Sequence, residues 1–572
     1  MGEREPTGSL ARLLGWRLAE LPGRGFLYVE DDGPWSFARL AAASVTVGEQ
    51  LGTVAAGGRV VVRVGNDERF LPAASAVWCR RAAVVAVHPA APAEEVARIV
   101  AAMGAAAVVC DPGDPVVTAV TAVGVPVVTF ARFDPADGAE ITELAARYRP
   151  PGGDVGAEAA LILLTSGSTG EPKGVVLTHD NAWSNLRATV SAFRRDTSPT
   201  PLADESKPPN LIANPLSHTA GVVRLLFALY VGRGVALLRK FDGPTAKRLL
   251  DRHRIDNLTI NPAMLRILLD TLEPGADLGA VRYVSSGTAP LTPALREEFE
   301  ARFGVPVLQA YGQTEAFGGI SVESARDVLA GRRRPGSVGR PLPGVQLRLV
   351  TDGGGEAATG QEGEIRVRTR SATSGYLGAA GADSPLDPPL DEDGWLRTGD
   401  IGKLDDDGYL YVTGRLKNII ICGGFNVVPE EIEAALAADP AVREAVVLGV
   451  PDDRLGELPV ALVLGEAAAP PAPHEVLERV RSRLAPYKRP RQVFVVDELP
   501  RVPNGKVDRP RAQALAVALA APVGTVPASG PASGPVSGPV SGPVSGPASE
   551  PASEPASEPI SEPISEPADA SR

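Results

Sequence analysis

Short apolar runs alternate with alanine-rich amphipathic stretches through most of the chain. Residues 59–64 and 82–87 have the length and valine content of buried strands, and residues 92–103 have the spacing of a helix. This alternation predicts an α/β fold of the doubly wound type. The Pro-, Asp- and Gly-rich segment 134–156 is predicted to be a loop that leads into another buried strand at 160–164.

A shorter set of elements follows residue 414. The pattern predicts a helix near 429–438, strands near 441–450 and 458–464, and a helix near 474–484. From about residue 527 a Pro-x-Ser-Gly tetrad and then a Pro-x-Ser-Glu tetrad repeat, and regular proline blocks helix and sheet. We therefore predict a large N-terminal domain (1–414), a small C-terminal domain (415–520) and a disordered tail (521–572).

Composition and charge exclude several classes of function. The net charge is -12, and about -7 remains once the acidic tail is set aside, which argues against nucleic acid as the main partner. The cysteines, Cys79, Cys110 and Cys422, are too far apart to indicate a zinc site or a disulfide framework. The first ten residues carry no apolar signal segment, and no apolar run approaches the roughly 18 residues of a membrane span. We expect a cytoplasmic protein with no membrane span.

The segment 165–174, TSGSTGEPKG, has the composition of a phosphate-binding loop. Gly167 and Gly170 allow successive backbone N–H groups to converge on one anion. Lys173 adds a positive charge, and hydroxyl groups come from Thr165, Ser166, Ser168 and Thr169. A Walker loop is excluded because no glycine directly precedes the lysine, and the spacing of glycines around Ser168 excludes a nucleophile elbow.

This loop resembles the signature loop of the adenylate-forming superfamily, which includes acyl-CoA synthetases, aryl-acid ligases, luciferases and the adenylation domains of peptide synthetases. Further segments resemble the other motifs of that superfamily in the same order: 285–291 (SSGTAPL), 311–315 (YGQTE), 395–400 (WLRTGD) and 503–509 (PNGKVDR). The resemblance runs from about Gly33 to Arg509 and is strongest to the acyl-CoA synthetases. It implies a large adenylate-forming domain of several subdomains and a small, mobile α+β C-terminal domain.

The resemblance also implies a nucleotide site for ATP and Mg²⁺. Glu315 and Thr165 would bind the Mg²⁺ ion, and Thr314 would contact the α-phosphate. The purine would lie against Tyr311 and Gly312 and along the turn formed by Gly287, Thr288 and Ala289. Glycine or another small residue is more usual at Thr288, and we interpret the threonine as a tolerated change. The ribose would be bound by Asp400 and Arg415.

Two lysines receive roles from the resemblance. Lys506 corresponds to the catalytic lysine, whose ammonium group would bridge the acyl carboxylate and the α-phosphate and offset their repulsion. Lys417 corresponds to the hinge about which the small domain rotates between the two half-reactions. With Thr314, Glu315 and His218, Lys506 completes the expected catalytic set.

The acid and the acceptor are less closely defined. The segment 214–221, NPLSHTAG, resembles the entrance of the acyl pocket and places His218 at the gate; Arg224, Asn261 and Gly318 are assigned to the same pocket. No acidic residue occurs between Asn214 and Arg224, which disfavours an α-amino acid. Fatty, aryl and hydroxylated aryl acids remain open.

For the acceptor, Gly423 and Gly424 resemble the loop that lines a pantetheine tunnel. We therefore expect transfer of the acyl group to coenzyme A. The alternatives are the phosphopantetheine of a carrier protein, a nitrogen nucleophile and a non-catalytic nucleotide-binding relative. The oligomeric state stays open.

Overall fold

The computed structural model describes residues 7–30, 33–52, 54–131, 133–135, 138–166, 172–196, 207–378, 390–422, 425–452, 456–466, 471–481, 484, 488–502 and 505–520. They all belong to one compact unit, Met1–Ala521. The repeat tail lies outside the described residues.

The helices are α1 (Ala11–Glu20), α2 (Phe37–Gln50), α3 (Phe70–Cys79), α4 (Ala93–Ala102), α5 (Val116–Thr121), α6 (Gly138–Ala145), α7 (His179–Asp196), α8 (Thr219–Val231), α9 (Gly243–His253), α10 (Pro262–Thr271), α11 (Pro293–Phe303), α12 (Ala325–Leu329), α13 (Pro429–Ala437), α14 (Pro473–Arg481) and α15 (Arg509–Ala520). Short 3₁₀ turns occur at Thr314–Ala316 and Leu416–Asn418.

The strands are β1 (Gly25–Val29), β2 (Trp35–Ser36), β3 (Arg59–Arg63), β4 (Ala83–Ala86), β5 (Ala107–Cys110), β6 (Val127–Thr129), β7 (Ala159–Ser166), β8 (Pro172–Thr178), β9 (Asn210–Ile212), β10 (Val235–Leu237), β11 (Asn257–Ile260), β12 (Tyr283–Ser286), β13 (Val307–Gln313), β14 (Gly318–Val322), β15 (Arg340–Pro341), β16 (Gln346–Val350), β17 (Gly363–Arg368), β18 (Gly375–Leu377), β19 (Leu396–Leu404), β20 (Leu410–Arg415), β21 (Ile420–Cys422), β22 (Phe425–Val427), β23 (Val442–Asp452), β24 (Gly456–Gly465) and β25 (Gln492–Val496).

A largely parallel sheet forms the centre of the N-terminal region, with strand order β18-β8-β7-β4-β3-β5-β6. Strands β3 to β7 run parallel, and β8 and β18 are added antiparallel at one edge. The valines of β3 and β4 are buried on both faces, as expected for a sheet covered by helices on both sides. The predicted α/β fold is confirmed.

Further sheets surround this centre. Strands β2-β1-β10-β9 form one sheet, β11-β12-β13-β14-β15 a second, and β16-β17-β19-β20 an antiparallel third. Because β12 and β13 are parallel neighbours, the segments that leave their carboxyl ends lie side by side. These segments are the predicted purine turn and the YGQTE segment, so the sheet order itself brings two nucleotide motifs together.

The elements predicted after residue 414 are confirmed as α13, β23, β24 and α14. Strands β22-β21-β24-β23 form a sheet, β25 pairs with β24, and α13 and α14 share one apolar core with them. The position of the domain boundary, between 414 and 415, stays a prediction.

One expectation is wrong: the segment 134–156 is not a continuous loop, because α6 (Gly138–Ala145) forms within it. Ile141 and Leu144 of this helix pack against the main apolar core, and Ala145 is buried in it. Tertiary burial therefore outweighs the Pro-, Asp- and Gly-rich flanks. Across the described ranges, no helix combines the length and apolar character that crossing a membrane requires.

Candidate active site

The predicted phosphate loop connects two strands of the central sheet. Thr165 and Ser166 end β7, Lys173 lies near the start of β8, and Thr165 and Lys173 are register partners. The Thr165 hydroxyl donates to the Lys173 carbonyl over 3.5 Å. The tip of the hairpin, 167–171, lies outside the described residues, so the roles of Gly167, Ser168, Thr169 and Gly170 stay predictions.

Tyr376 joins the phosphate loop to the predicted metal site. The Lys173 Nζ lies 3.2 Å from the centroid of the Tyr376 ring. The Tyr376 hydroxyl donates to Glu315 Oε1 over 3.2 Å. Burial, and next the Glu315 charge, raise the pKa of Tyr376, so this hydroxyl stays protonated at neutral pH. Tyr376 was not among the predicted residues, because it lies on β18 and the pairing of β18 with β8 could not be predicted from the sequence.

Thr314 and Glu315 lie in the 3₁₀ turn between β13 and β14. The Thr314 hydroxyl is 2.8 Å from the hydroxyl of Thr219, the first residue of α8, which the sequence analysis also missed. Carboxylate and hydroxyl oxygens are suitable ligands for Mg²⁺, which usually takes one or two protein carboxylates and completes its shell with phosphate oxygens and water. Within the described ranges no group of three or more potential ligands forms a protein-only metal site. Glu315 therefore fits a magnesium ion that is held jointly with a nucleotide.

A buried carboxylate forms the predicted ribose site. Asp400 is 2 % exposed, its Oδ2 accepts a hydrogen bond from the Tyr311 hydroxyl (2.7 Å), and its Oδ1 accepts one from Arg415 Nε (2.5 Å). Burial and then the Asp400 charge raise the pKa of Tyr311 well above its usual range. Each carboxylate oxygen has a second lone pair, so Asp400 can still accept hydrogen bonds from a diol. The contact of the Tyr311 ring with adenine stays a prediction.

The predicted purine turn packs against β13 just before the YGQTE segment, and Gly312 of that segment packs against Gly318 of β14. A Cβ on Gly287 would lie 2.9 Å from the Ala310 carbonyl oxygen, and one on Gly312 would lie 1.9 Å from the Gly318 carbonyl oxygen. Thr288 has a φ of +70°, a left-handed conformation that a β-branched residue rarely adopts. The threonine is therefore strained as well as unusual, and Ala289 follows it in the same turn.

Lys506, the predicted catalytic lysine, lies close to Arg415 and Asp400. The preceding Gly505 has a φ of +84°, and a Cβ placed on it would be 3.3 Å from Ala263 Cβ in α10, so the lysine loop packs against the N-terminal region. Burial, together with the nearby Arg415 charge, lowers the pKa of Lys506 to about 8, while Asp400 acts in the opposite direction. These interactions place Lys506 beside the ribose pair.

His218, the predicted gate of the acid pocket, lies close to Lys506. It is the N-cap of α8, and its Nδ1 accepts a hydrogen bond from the Ala220 N–H over 3.2 Å, which leaves the proton of the neutral ring on Nε2. Burial, and then the Lys506 charge, lower the pKa of His218 to about 4. The imidazole is therefore neutral at physiological pH.

The other residues predicted for the acid pocket, Gly318, Asn261 and Arg224, differ in their contacts. Gly318 has a φ of +110°, and a Cβ there would be 3.5 Å from Val223 Cγ2 of α8, so the glycine keeps this space open. Asn261 is buried and its side-chain oxygen caps α10 through the Met264 N–H, which gives it a structural role; a contact with the acid stays a prediction. Arg224 lies on α8 and is half-buried.

Of the residues predicted for the hinge and the acceptor tunnel, the structure describes only the hinge residue, Lys417. Lys417 lies in the 3₁₀ turn Leu416–Asn418, where burial and the Arg415 charge lower its pKa. The side-chain nitrogen of Asn418 donates to Glu430 on α13 over 2.9 Å. Gly423 and Gly424 lie outside the described residues.

Comparison with known proteins agrees with this geometry. Residues 15–377 match the AMP-binding enzyme family, and residues 431–506 match the AMP-binding enzyme C-terminal domain. The chain belongs to the AMP-binding enzyme family.

Among its curated relatives within this family is the sulfoacetate–CoA ligase of Cupriavidus necator, 37% identical over 61% of this chain and 66% of that protein. Another is 4-coumarate–CoA ligase 5 of Oryza sativa subsp. japonica, 31% identical over 84% of this chain and 88% of that protein. The crystal structure of ATP-bound MatB from Rhodopseudomonas palustris superposes with a TM-score of 0.77 at 29% identity, covering 89% of this chain and 99% of MatB. The predicted enzyme class, an AMP-forming acyl-CoA ligase that uses ATP and Mg²⁺, is confirmed.

Proposed function

We propose that this AMP-binding enzyme converts a carboxylic acid into an acyl-adenylate with Lys506 as the catalytic cation, and then passes the acyl group to coenzyme A. The observation that carries the proposal is the position of Lys506, beside Asp400, Arg415 and His218 at the beginning of α8.

In the first half-reaction an oxygen of the substrate carboxylate bonds to the α-phosphorus of ATP, and the bond from that phosphorus to the bridging oxygen breaks as pyrophosphate leaves. Carboxylate and phosphate repel each other, and the Lys506 ammonium group offsets this repulsion where they meet. Asp400 and Arg415 hold the ribose, and neutral His218 separates the reacting carboxylate from the interior of the pocket. Glu315 would hold Mg²⁺, which would supply positive charge to neutralise the phosphates.

In the second half-reaction the sulfur of the thiol attacks the acyl carbonyl carbon, the thiol proton is lost, and AMP leaves. Gly423 and Gly424 are proposed to line the path of the pantetheine arm, because glycines leave room for it. A carrier-protein phosphopantetheine would use the same path and remains the alternative acceptor. A non-catalytic role is not favoured, since Thr165, Lys173, Glu315, Asp400, Arg415 and Lys506 are all present. A cytoplasmic location is proposed because Cys79, Cys110 and Cys422 are free thiols, which suits a reducing compartment.

The relatives are named for chemically different acids, so their names do not identify the acid that this enzyme uses. Sulfoacetate is small and carries two negative groups, whereas 4-coumarate is a hydroxylated aryl acid. We propose that the enzyme accepts an acid with an aliphatic or an aryl skeleton, with fatty and aryl acids among the candidates, and that its own pocket determines which one.

The test is acid-dependent ATP–pyrophosphate exchange across fatty, aryl, hydroxylated aryl and dicarboxylic acids. Exchange with one class, followed by AMP and thioester formation when coenzyme A is added, is the expected result. Exchange without thioester formation would favour a carrier protein, and the absence of exchange with every acid would contradict the proposal. Lys506→Ala should strongly lower this exchange, and Lys488→Ala is its matched control. Lys488 also lies in the C-terminal region, but it pairs with Glu431 through Oε2 at 2.6 Å and is not among the predicted nucleotide-binding residues.

A further inference from the structure

One face of α8 differs from the rest of the helix. Val222, Leu225, Leu226 and Leu229 are buried in the main apolar core. By contrast Ala220, Val223, Arg224 and Phe227, at the i, i+3, i+4, i+7 spacing of one helical face, are only half-buried. This half-buried face is the part of α8 that can line a ligand pocket.

Helix α8 begins at the reaction centre, and its half-buried face leads away from that end. His218 and Thr219 at the beginning of the helix interact with Lys506 and Thr314, respectively. Val223 lies next to the space left open by Gly318. Arg224 follows Thr219 by five residues, which corresponds to about 7.5 Å along the helix axis. Side chains on a helix point back toward its beginning, so the guanidinium group is within reach of a bound acid.

Among the described residues, the Arg224 guanidinium has no carboxylate partner. In the described part of the chain it makes no hydrogen bond or ion pair, and burial lowers the pKa of Arg224 with only the Tyr283 hydroxyl acting against this effect. The Asp256 carboxylate, which helps to raise the pKa of Tyr283, pairs with Arg233 instead. No other described carboxylate is placed to neutralise Arg224.

Arginines of this chain that lie away from water bond either to backbone carbonyls, as Arg59 does to Met103, or to carboxylates. Arg63 pairs with Asp114, Arg69 with Asp67, and Arg333 with Glu300. Placing a guanidinium group away from water without a partner is unfavourable, so a fold that keeps one in a pocket is suited to receive an anion there. A guanidinium group binds a carboxylate or a sulfonate through two parallel hydrogen bonds.

We infer that the enzyme selects an acid that carries a second anionic group, and that Arg224 binds that group while the other end of the acid is adenylated. This inference rests on the proposed function, and it sets no limit on whether the skeleton between the two groups is aliphatic or aromatic. Gly318 and Val223 contact the skeleton, and Arg224 is the specificity-determining residue.

The test compares matched acids in the ATP–pyrophosphate exchange assay. Malonate, succinate, glutarate and adipate are each paired with propionate, butyrate, valerate and hexanoate, and isophthalate is paired with benzoate. For the preferred length, wild-type kcat/KM is expected to favour the diacid by about 30-fold or more, the value of a hydrogen-bonded charge. Arg224→Met should remove this preference and leave the KM for ATP within about twofold, and Arg224→Lys should retain part of it.

Arg282→Met is the control, since Arg282 is exposed and adjacent to Tyr283 but lies outside the pocket, and it should keep the wild-type preference. Equal rates with each diacid and its matched monoacid, or an Arg224→Met enzyme that keeps the preference, would overturn the inference and leave the proposed function intact. Loss of ATP binding in Arg224→Met, measured directly with labelled nucleotide, would assign the residue a structural role and also overturn it. Absence of exchange with every acid would reject the proposed function itself.

Discussion

Tyr376 offers a sharp test of how the site holds Mg²⁺ and phosphate, because one side chain contacts both Lys173 and Glu315. Tyr376→Phe keeps the ring under the Lys173 ammonium group and removes only the hydrogen bond to Glu315 Oε1. Hydrogen bonds to charged groups contribute about 1.5 to 3 kcal/mol. The contact is 3.2 Å long and half-buried, so we use the lower value, about 1.5 kcal/mol, which corresponds to roughly tenfold.

The expected result for Tyr376→Phe is a rise of about tenfold in the Mg²⁺ concentration that half-saturates ATP–pyrophosphate exchange, with little change in the KM for the acid. Tyr376→Leu also removes the cation–π contact, which contributes about 1 to 2 kcal/mol at a partly desolvated site, so kcat/KM for ATP should fall by a further five- to thirtyfold.

Tyr411→Phe is the matched control. The Tyr411 hydroxyl also donates to a carboxylate, that of Asp405 (3.1 Å), but this pair lies outside the nucleotide site. Its Mg²⁺ dependence should equal that of the wild type. The reasoning is refuted if Tyr376→Phe has the wild-type Mg²⁺ dependence, or if Tyr376→Leu is no worse than Tyr376→Phe.

Three further predictions follow from the site. Lys506 acts as a cation with a pKa of about 8, so kcat/KM for ATP should fall as the pH rises through 8 and the lysine loses its proton. Lys506→Arg should move this fall to higher pH. His218 has a pKa of about 4 and is already neutral at pH 5, so a fall in activity between pH 7 and pH 5 attributable to His218 would contradict the account. Thr288→Gly should raise the free energy of unfolding, measured in urea, by about 1 kcal/mol. Relief of the left-handed strain contributes about 1 to 3 kcal/mol, and the greater chain entropy of glycine in the unfolded state offsets about 0.5 to 1 kcal/mol of it. An unchanged or lower urea midpoint would show that the turn is unstrained. Asp400→Asn should raise the KM for ATP by about tenfold or more and leave the KM for the acid unchanged, and equal increases in both would argue against a ribose contact.

Local patterns in the sequence were sufficient for the strands and loops that carry the motifs. Strands β3 and β4 and helices α4 and α13 follow from apolar spacing alone, because each buries its own apolar positions. The resemblance of short motifs predicted a ribose site at Asp400 and Arg415, and the structure brings these two residues together as register partners on strands β19 and β20; their contact with ribose stays a prediction.

Contacts between distant segments could not be predicted. Tyr376 meets Lys173 and Glu315 only because β18 is added to the edge of the central sheet, and nothing in its local sequence indicates that pairing. Helix α6 was missed because its flanks are rich in turn-forming residues, while the core contacts that stabilise it come from other parts of the chain. That Arg224 has no carboxylate partner among the described residues is likewise a property of the packed structure, since an arginine on an otherwise apolar helix is more often paired.

The most direct test of the central claim separates the two half-reactions in Lys506→Ala. With the acid identified by the exchange assay, the account predicts that Lys506→Ala lowers acid-dependent ATP–pyrophosphate exchange by a factor of about a hundred or more, because the cation between two approaching anions is lost. The same variant, supplied with synthetic acyl-adenylate and coenzyme A, should form thioester at a rate close to that of the wild type. Exchange at the wild-type rate, or equal losses in both half-reactions, would contradict the assignment of Lys506 to adenylation.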